Sequence, residues 1–199
     1  MSLLRCFIAV ELPRPLQDAI AASTAGPRER LGTDVVRWVP AHNVHLTLKF
    51  LGDTASSSTD MIIASIGAEA PQFQPFDVTV AGFGAFPNER RPRVLWVGLS
   101  WPAALASLHH ALDQTTLRLG YKSEERAFSP HLTIGRVRQN VSSGGLQSIR
   151  DELERSSIGE IGTCKVDAIH LYKSELKPTG SEYSKLFTAF LGTGATQSA

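Results

Sequence analysis

Two near-copies of one tetrapeptide carry side chains that could do chemistry: His45-Leu46-Thr47-Leu48 and His131-Leu132-Thr133-Ile134, 86 residues apart. Each lies in a segment that alternates as a strand does, so the His and Thr of each copy share one face and the apolar pair takes the other. A rise of about 3.3 Å per residue puts imidazole and hydroxyl roughly 6 to 7 Å apart, within reach of one small polar group. Histidine, with an unperturbed pKa of about 6.5, gives or takes a proton near neutral pH. Two imidazoles flanking a substrate make a general acid and base pair, each proton transfer being worth roughly 10²- to 10⁴-fold in rate. A threonine hydroxyl two residues on donates to a non-bridging phosphate oxygen, where charge grows in the transition state. One imidazole would deprotonate a water or hydroxyl attacking phosphorus, and the other would protonate the leaving oxygen; no metal is needed. A single His-x-Thr in a strand is ordinarily a half-buried polar pair. The matched second copy is what points to a shared site.

The rest of the chain must bring these strands together. At 199 residues it is long enough for one large domain or two small lobes with a sizeable core. A hydrophobic content of 42% and a charged content of 20% mark an ordered globular chain. A net charge of +1 argues against broad coating of nucleic acid, while leaving room for a local phosphate site. Cys6 and Cys164 lie in apolar, strand-like segments and read as buried free thiols in a reducing compartment. The apolar stretch at residues 3–10 is interrupted by Arg5, followed by Glu11 and ended by Pro13. It reads as a first strand, neither a bilayer span nor a signal peptide, and the protein is expected to be cytoplasmic.

The first strand, residues 3–12, turns Cys6, Ile8 and Val10 toward the core and Arg5, Phe7, Ala9 and Glu11 away. A helix follows from Pro13 and Pro15 and is limited by Pro27. Residues 35–39 form a short edge strand, and the first motif strand spans 44–51, closing at the Gly52-Asp53 turn. A second helix starts among Ser56, Ser57, Ser58 and Thr59, with Ile62, Ile63 and Ile66 at core spacing. Strands are expected at 76–80 and 94–97, separated by an arginine- and proline-rich loop. A helix from Pro102 stops at Gly120; the second motif strand follows Phe128-Ser129-Pro130, and a short helix follows Gly144-Gly145. Two strands, 164–176 and 183–191, finish the fold around a turn at Pro178-Thr179-Gly180. This order gives an α+β class: two pseudo-symmetric lobes of mainly antiparallel sheet with outer helices around a central cleft. The expected division is a single bilobal domain over residues 1–191 and a disordered tail over 192–199.

Four segments, Arg5-Cys6-Phe7-Ile8-Ala9-Val10-Glu11-Leu12, His45-Leu46-Thr47-Leu48-Lys49-Phe50-Leu51-Gly52, Pro92-Arg93-Val94-Leu95-Trp96 and Phe128-Ser129-Pro130-His131-Leu132-Thr133-Ile134-Gly135-Arg136, carry a resemblance. In order and spacing they resemble the 2H phosphoesterase superfamily, nearest to its RNA 2′,3′-cyclic phosphodiesterase branch, also called 2′-5′ RNA ligase. The resemblance implies two α+β lobes around a cleft and metal-independent opening of an RNA or nucleoside 2′,3′-cyclic phosphate to a 2′-phosphomonoester. It implies His45 as the acid at the 3′ oxygen, His131 as the base on water, and Thr47 and Thr133 as phosphate ligands. It also implies no cofactor, and a monomer that acts on RNA ends or cyclic nucleotides without a membrane.

Arg136 matches a basic position of that family, yet strict alternation puts it on the face of Leu132 and Ile134, away from His131. A bulge at Gly135 would re-aim it. Phe7, on the non-core side of its strand, either stacks on a nucleobase, worth roughly 1 to 3 kcal/mol, or belongs to a second small core. Tyr183 also matches a family position, with an interior hydroxyl as the simpler account. His42 and His45 would face opposite ways in a strand and lack a third metal ligand. His109, His110 and His170 read as structural, and Trp38, Trp96 and Trp101 as core or rim. The arginines at 90, 91 and 93 read as a solvated loop, with guidance of RNA as the alternative. Two further functions stand beside hydrolysis: reversible 2′-5′ joining of RNA ends, and a non-catalytic module that binds them.

Overall fold

A run of buried residues from Cys6 to Val10 marks the strand at the middle of one half of the sheet. The computed structural model describes residues 3–124, 127–177 and 180–192. Its strands are β1 (Leu3–Glu11), β2 (Val36–Trp38), β3 (His45–Ala55), β4 (Phe76–Phe86), β5 (Val94–Ser100), β6 (His131–Val137), β7 (Glu160–Val166), β8 (Ala168–Lys177) and β9 (Gly180–Phe190). Its helices are α1 (Arg14–Ser23), α2 (Ala25–Val35), α3 (Thr59–Glu69), α4 (Ala103–Arg118) and α5 (Ser143–Arg155). The strands form one antiparallel sheet in the order β7-β4-β5-β6-β3-β1-β8-β9, with β2 added to β6. The α+β class is therefore as the pattern predicts. Each half of the sheet ends on a motif strand, and the halves join where β3 meets β6, through one ladder pair among the described residues, Leu46↔Leu132.

The helices cover one face. Ile8, Val10, Leu46, Leu48, Leu132 and Ile134 meet Ile20 of α1, Leu31 of α2, Ile62 and Ile66 of α3, Leu108 and Leu112 of α4, and Ile149 of α5 in one core. Full burial of such a side chain is worth about 1.5 to 3 kcal/mol. A one-residue slip of either motif strand would expose its apolar pair, so the core decides which way the His and Thr point. On the other face Phe7, Ala9 and Tyr172 form a second small cluster with Tyr183. Cys6 and Cys164 are buried and free.

Several boundaries differ from the sequence pattern: β4 runs on to Phe86, β5 to Ser100, and β9 begins at Gly180. Pro27 does not end a helix; it lies in the first turn of α2, where its missing N–H costs no intrahelical bond. β3 runs on through Gly52-Asp53 to Ala55, staying paired with β1 by two register shifts. The segment expected as one strand at 164–176 is two: β7 pairs with β4 in one half, and β8 lies between β1 and β9 in the other. Asp167 sits at the crossing and its carbonyl is capped by the Leu191 N–H at 2.7 Å. Gly120, at φ +90°, follows the end of α4 as expected. The Pro178-Thr179 turn and residues 193–199 of the expected tail lie outside the described residues. Among the described residues no helix is long and apolar enough to cross a membrane.

Lys49 is an unexpected core residue, 1% exposed. The register shift between Ile8 and Ala9 places it beside Ile8 on the core side, where it pairs with Asp113 of α4 and donates to the Lys122 carbonyl at 2.6 Å. Asp113 also accepts from the Ser123 hydroxyl, so the pair clamps the chain leaving α4 on its way to His131. Burial works against the Asp113 charge, but the Lys49 ammonium and Ser123 hydroxyl hold its carboxyl below the usual range. Asp113→Leu, which strands a buried ammonium, should cost about 3 to 5 kcal/mol in urea unfolding, and Lys49→Met combined with it should recover much of that loss.

Candidate active site

The Leu46↔Leu132 pair is the reference point of the site. Carrying that antiparallel register one residue each way sets His45 opposite Thr133 and Thr47 opposite His131. Side chains so opposed have Cβ atoms about 4.5 to 5.5 Å apart. Both leucines are fully buried, so all four polar side chains emerge on the open face, each half-buried. Neither threonine hydroxyl has a hydrogen-bond partner among the described residues, which leaves both free to donate to a ligand.

Each imidazole is held in the same way. His45 Nδ1 lies 2.8 Å from the Asn43 carbonyl, and His131 Nδ1 lies 2.8 Å from the Ser129 carbonyl. A carbonyl only accepts, so Nδ1 carries the hydrogen and the neutral ring presents Nε2 as a lone pair. Asn43 is itself anchored by donating to the Ser181 carbonyl at 3.0 Å, linking the site to β9. Aromatic rings brace both. His45 stacks on Phe7 at 4.9 Å and takes the edge of Tyr183 at 5.2 Å. His131 meets Phe86 edge-on at 4.8 Å, and Phe86 leans on Trp96. Sequence reasoning missed Asn43, Tyr172 and Phe86; the two backbone carbonyls carry no side-chain signal at all.

Arg136 comes into the site by the bulge that glycine allows. Along β5, Leu95 opposes Gly135 but Trp96 opposes Thr133, so β6 carries one extra residue, the buried Ile134. Arg136 thereby regains the face of His131 and Thr133, against strict alternation. Gly135 is required there, since a Cβ would stand 2.6 Å from Val36 Cγ1. Phe7 is 3% exposed and packs between His45 and Tyr172 in the second small cluster, where it supports an imidazole, and it also contributes to the lining of the cleft above that face.

A cleft of about 600 Å³ lies over this face, lined by His45, Thr47, Thr133 and Arg136, with Arg37, Trp38, Phe50 and Tyr183 around them. His131 is outside that lining and stands across the ladder from Thr47. His42 is exposed at the margin. His170 is buried against Thr188, and His109 stacks on Phe128 at 3.8 Å, both away from the cleft lining. Among the described residues no three His, Cys, Asp or Glu side chains are grouped to hold a metal ion.

Burial pushes both imidazoles below their usual 6.5. The Asn43 and Ser129 carbonyls partly oppose this, and the Arg136 charge lowers both further, with His131 adding to the effect at His45.

The sequence and its relatives bear on this geometry. Residues 12–178 match the model of the 2′-5′ RNA ligase superfamily. The chain belongs to that family. It is 32% identical over 182 residues to the RNA 2′,3′-cyclic phosphodiesterase of Methanothermobacter thermautotrophicus, covering 92% of this chain and 96% of the relative. The structure of TT0787 from Thermus thermophilus superposes with a TM-score of 0.77 at 27% identity, over 96% of this chain and all (100%) of the other. Escherichia coli LigT in complex with NADP+ gives 0.73 at 25% identity, over 96% and 99%.

In an NMR titration both ring midpoints should fall under pH 6.5, and Arg136→Gln should move both upward. Because the unfolded chain binds protons that these buried rings refuse, their contribution to stability is present above pH 6.5 and is lost as pH falls below it.

Proposed function

We propose that this enzyme hydrolyses RNA or nucleoside 2′,3′-cyclic phosphates to 2′-phosphomonoesters, using His45 and His131 as proton-transfer groups. The observation that supports this most is the doubled arrangement of Nδ1–carbonyl bonds on two strands in register, which leaves two Nε2 atoms on one face of the sheet. The names of the relatives point the same way, as does the nucleotide bound to LigT.

The cyclic phosphate sits over the β3·β6 ladder with its non-bridging oxygens toward the Thr47 and Thr133 hydroxyls. His131 Nε2 takes a proton from water as the oxygen attacks phosphorus. The bond from phosphorus to the 3′ oxygen breaks on the opposite side, and His45 Nε2–H supplies the proton that the leaving oxygen needs. The 2′ ester bond remains. Low imidazole pKa values suit the base, which must be neutral at pH 7. The acid must be protonated, and the bound phosphate anion raises its pKa by offsetting the Arg136 charge. Arg136 and the threonines stabilise the equatorial oxygens as charge accumulates. Phe7 and Tyr183 keep the His45 ring aimed. These roles need no metal.

A second reading, joining of RNA ends through a 2′-5′ bond, draws support from the family description. It runs the same steps with a 5′-hydroxyl in place of water. His131 takes its proton as the 5′ oxygen attacks phosphorus, the bond to the 3′ oxygen breaks and His45 protonates it. Only the reverse cleavage of the 2′-5′ ester exchanges the two roles. Water's abundance favours hydrolysis, and an assay with a 5′-hydroxyl RNA partner separates the two.

His45→Ala or His131→Ala should lower hydrolysis of a nucleoside 2′,3′-cyclic phosphate by about 10²- to 10⁴-fold with the fold intact, and Thr47→Val or Thr133→Val by about 10²-fold. EDTA should leave the rate unchanged and 2′-monophosphate should be the product. Full activity in either histidine variant, or a 3′-monophosphate product, would overturn the assignment.

A further inference from the structure

Next to the cleft lies a larger groove, about 1100 Å³, whose lining among the described residues includes Arg37, Arg91, Arg93, Arg136 and Arg138 and no acidic side chain. Arg37 and Arg136 also line the cleft, so the two cavities share a wall. The charges come from separate parts of the chain: β2, the loop between β4 and β5, and the end of β6. Arg37 and Arg136 are direct ladder partners, and Val137 N–H bonds to the Arg93 carbonyl at 2.9 Å, which draws the loop against β6.

Such an array is costly unless something neutralises it. Like charges directly opposite on a ladder repel. Elsewhere in the molecule Arg14, Arg30, Lys49, Lys173, Lys177 and Lys185 each have a carboxylate partner. Among the described residues none of the five groove arginines has one. Their side chains are all exposed. Arg138 donates through Nε to the Thr33 carbonyl at 2.7 Å, which fixes its direction. Among the described residues no tryptophan, tyrosine or phenylalanine lines the groove, so these residues provide no platform for stacked bases. Charge without aromatic rings is suited to a phosphate backbone and indifferent to base identity.

We propose that this groove is the track for the RNA strand whose end is processed in the cleft: it binds the phosphates of nucleotides on the 5′ side of the terminal cyclic phosphate. The direction rests on the function proposed above, because a 2′,3′-cyclic phosphate exists only at a 3′ end and the remaining chain must leave on its 5′ side. Arg136 stands at the junction, facing both the terminal phosphate and the next. Guanidinium groups suit this task through paired N–H donors to phosphate oxygens. The enzyme is therefore built for oligonucleotide ends, with mononucleotides filling only the cleft.

Binding by fluorescence anisotropy tests this without requiring turnover. The probes are a fluorescein-labelled hexaribonucleotide ending in a 2′-phosphate and the corresponding labelled mononucleotide, with wild type and the Arg91→Gln/Arg93→Gln double variant. Wild type should bind the hexanucleotide at least tenfold more tightly than the mononucleotide. The double variant should lose most of that advantage, leave mononucleotide binding within twofold, and flatten the slope of log affinity against log salt by about 1.4. Equal binding of the two probes by wild type, or an unchanged hexanucleotide affinity in the variant, would overturn the track. Weakening of both probes alike would also overturn it, by showing a general effect on the cleft. Length-dependent binding by a wild-type protein that opens no cyclic phosphate would support the track and count against the hydrolytic function instead.

Discussion

The contact between Leu46 and Leu132 governs the functional face. Among the described residues it is the one ladder pair that joins the two halves of the sheet, and both side chains are fully withdrawn from water. Because strand side chains alternate, sending these leucines into the helix-covered core sends His45, Thr47, His131 and Thr133 to the open face together. The hydrophobic effect thus fixes the orientation of four polar groups that make few bonds of their own. Two strands from opposite halves supply one imidazole each, so the four side chains share a face only when both halves are assembled.

Orientation alone does not make an acid or a base. The two Nδ1–carbonyl bonds select one tautomer on each ring, while packing against Phe7, Tyr183 and Phe86 limits rotation. The same packing removes water and, with Arg136, favours the neutral imidazoles. In the proposed reaction an incoming phosphate changes that balance by bringing the opposite charge. The free site is therefore electropositive and short of a partner, a condition that continues along the neighbouring arginines. On the proposed track an anionic strand would offset their mutual repulsion.

Much of this was legible from residue order. The apolar alternation of the motif strands predicts their faces, the matched His-x-Thr pairs predict the shared site, and the Cys6, Ile8, Val10 set predicts the core side of β1. What local pattern could not show is what depends on an extra residue or a distant partner. Arg136 changes face because β6 bulges at Ile134, a consequence of how β5 and β2 pack around Gly135. Strict alternation from His45 would put Lys49 on the open face, and a register shift turns it instead toward Asp113, 64 residues away. The strand break at Asp167 separates two apolar runs with no change in composition, because each pairs with a different half of the sheet. The loop arginines gain meaning only when β2 and β6 add theirs beside them.

The central claim is that one phosphorus is gripped by two imidazoles from opposite sides, and a crystal structure with a nucleoside 2′,3′-vanadate, a five-coordinate mimic of the transferring phosphoryl group, tests it most directly. Nε2 of His45 and of His131 should each lie about 2.6 to 3.2 Å from opposite apical oxygens, with the Thr47 and Thr133 hydroxyls on equatorial ones. Vanadate held by a single imidazole, or seated away from the β3·β6 ladder, would contradict it.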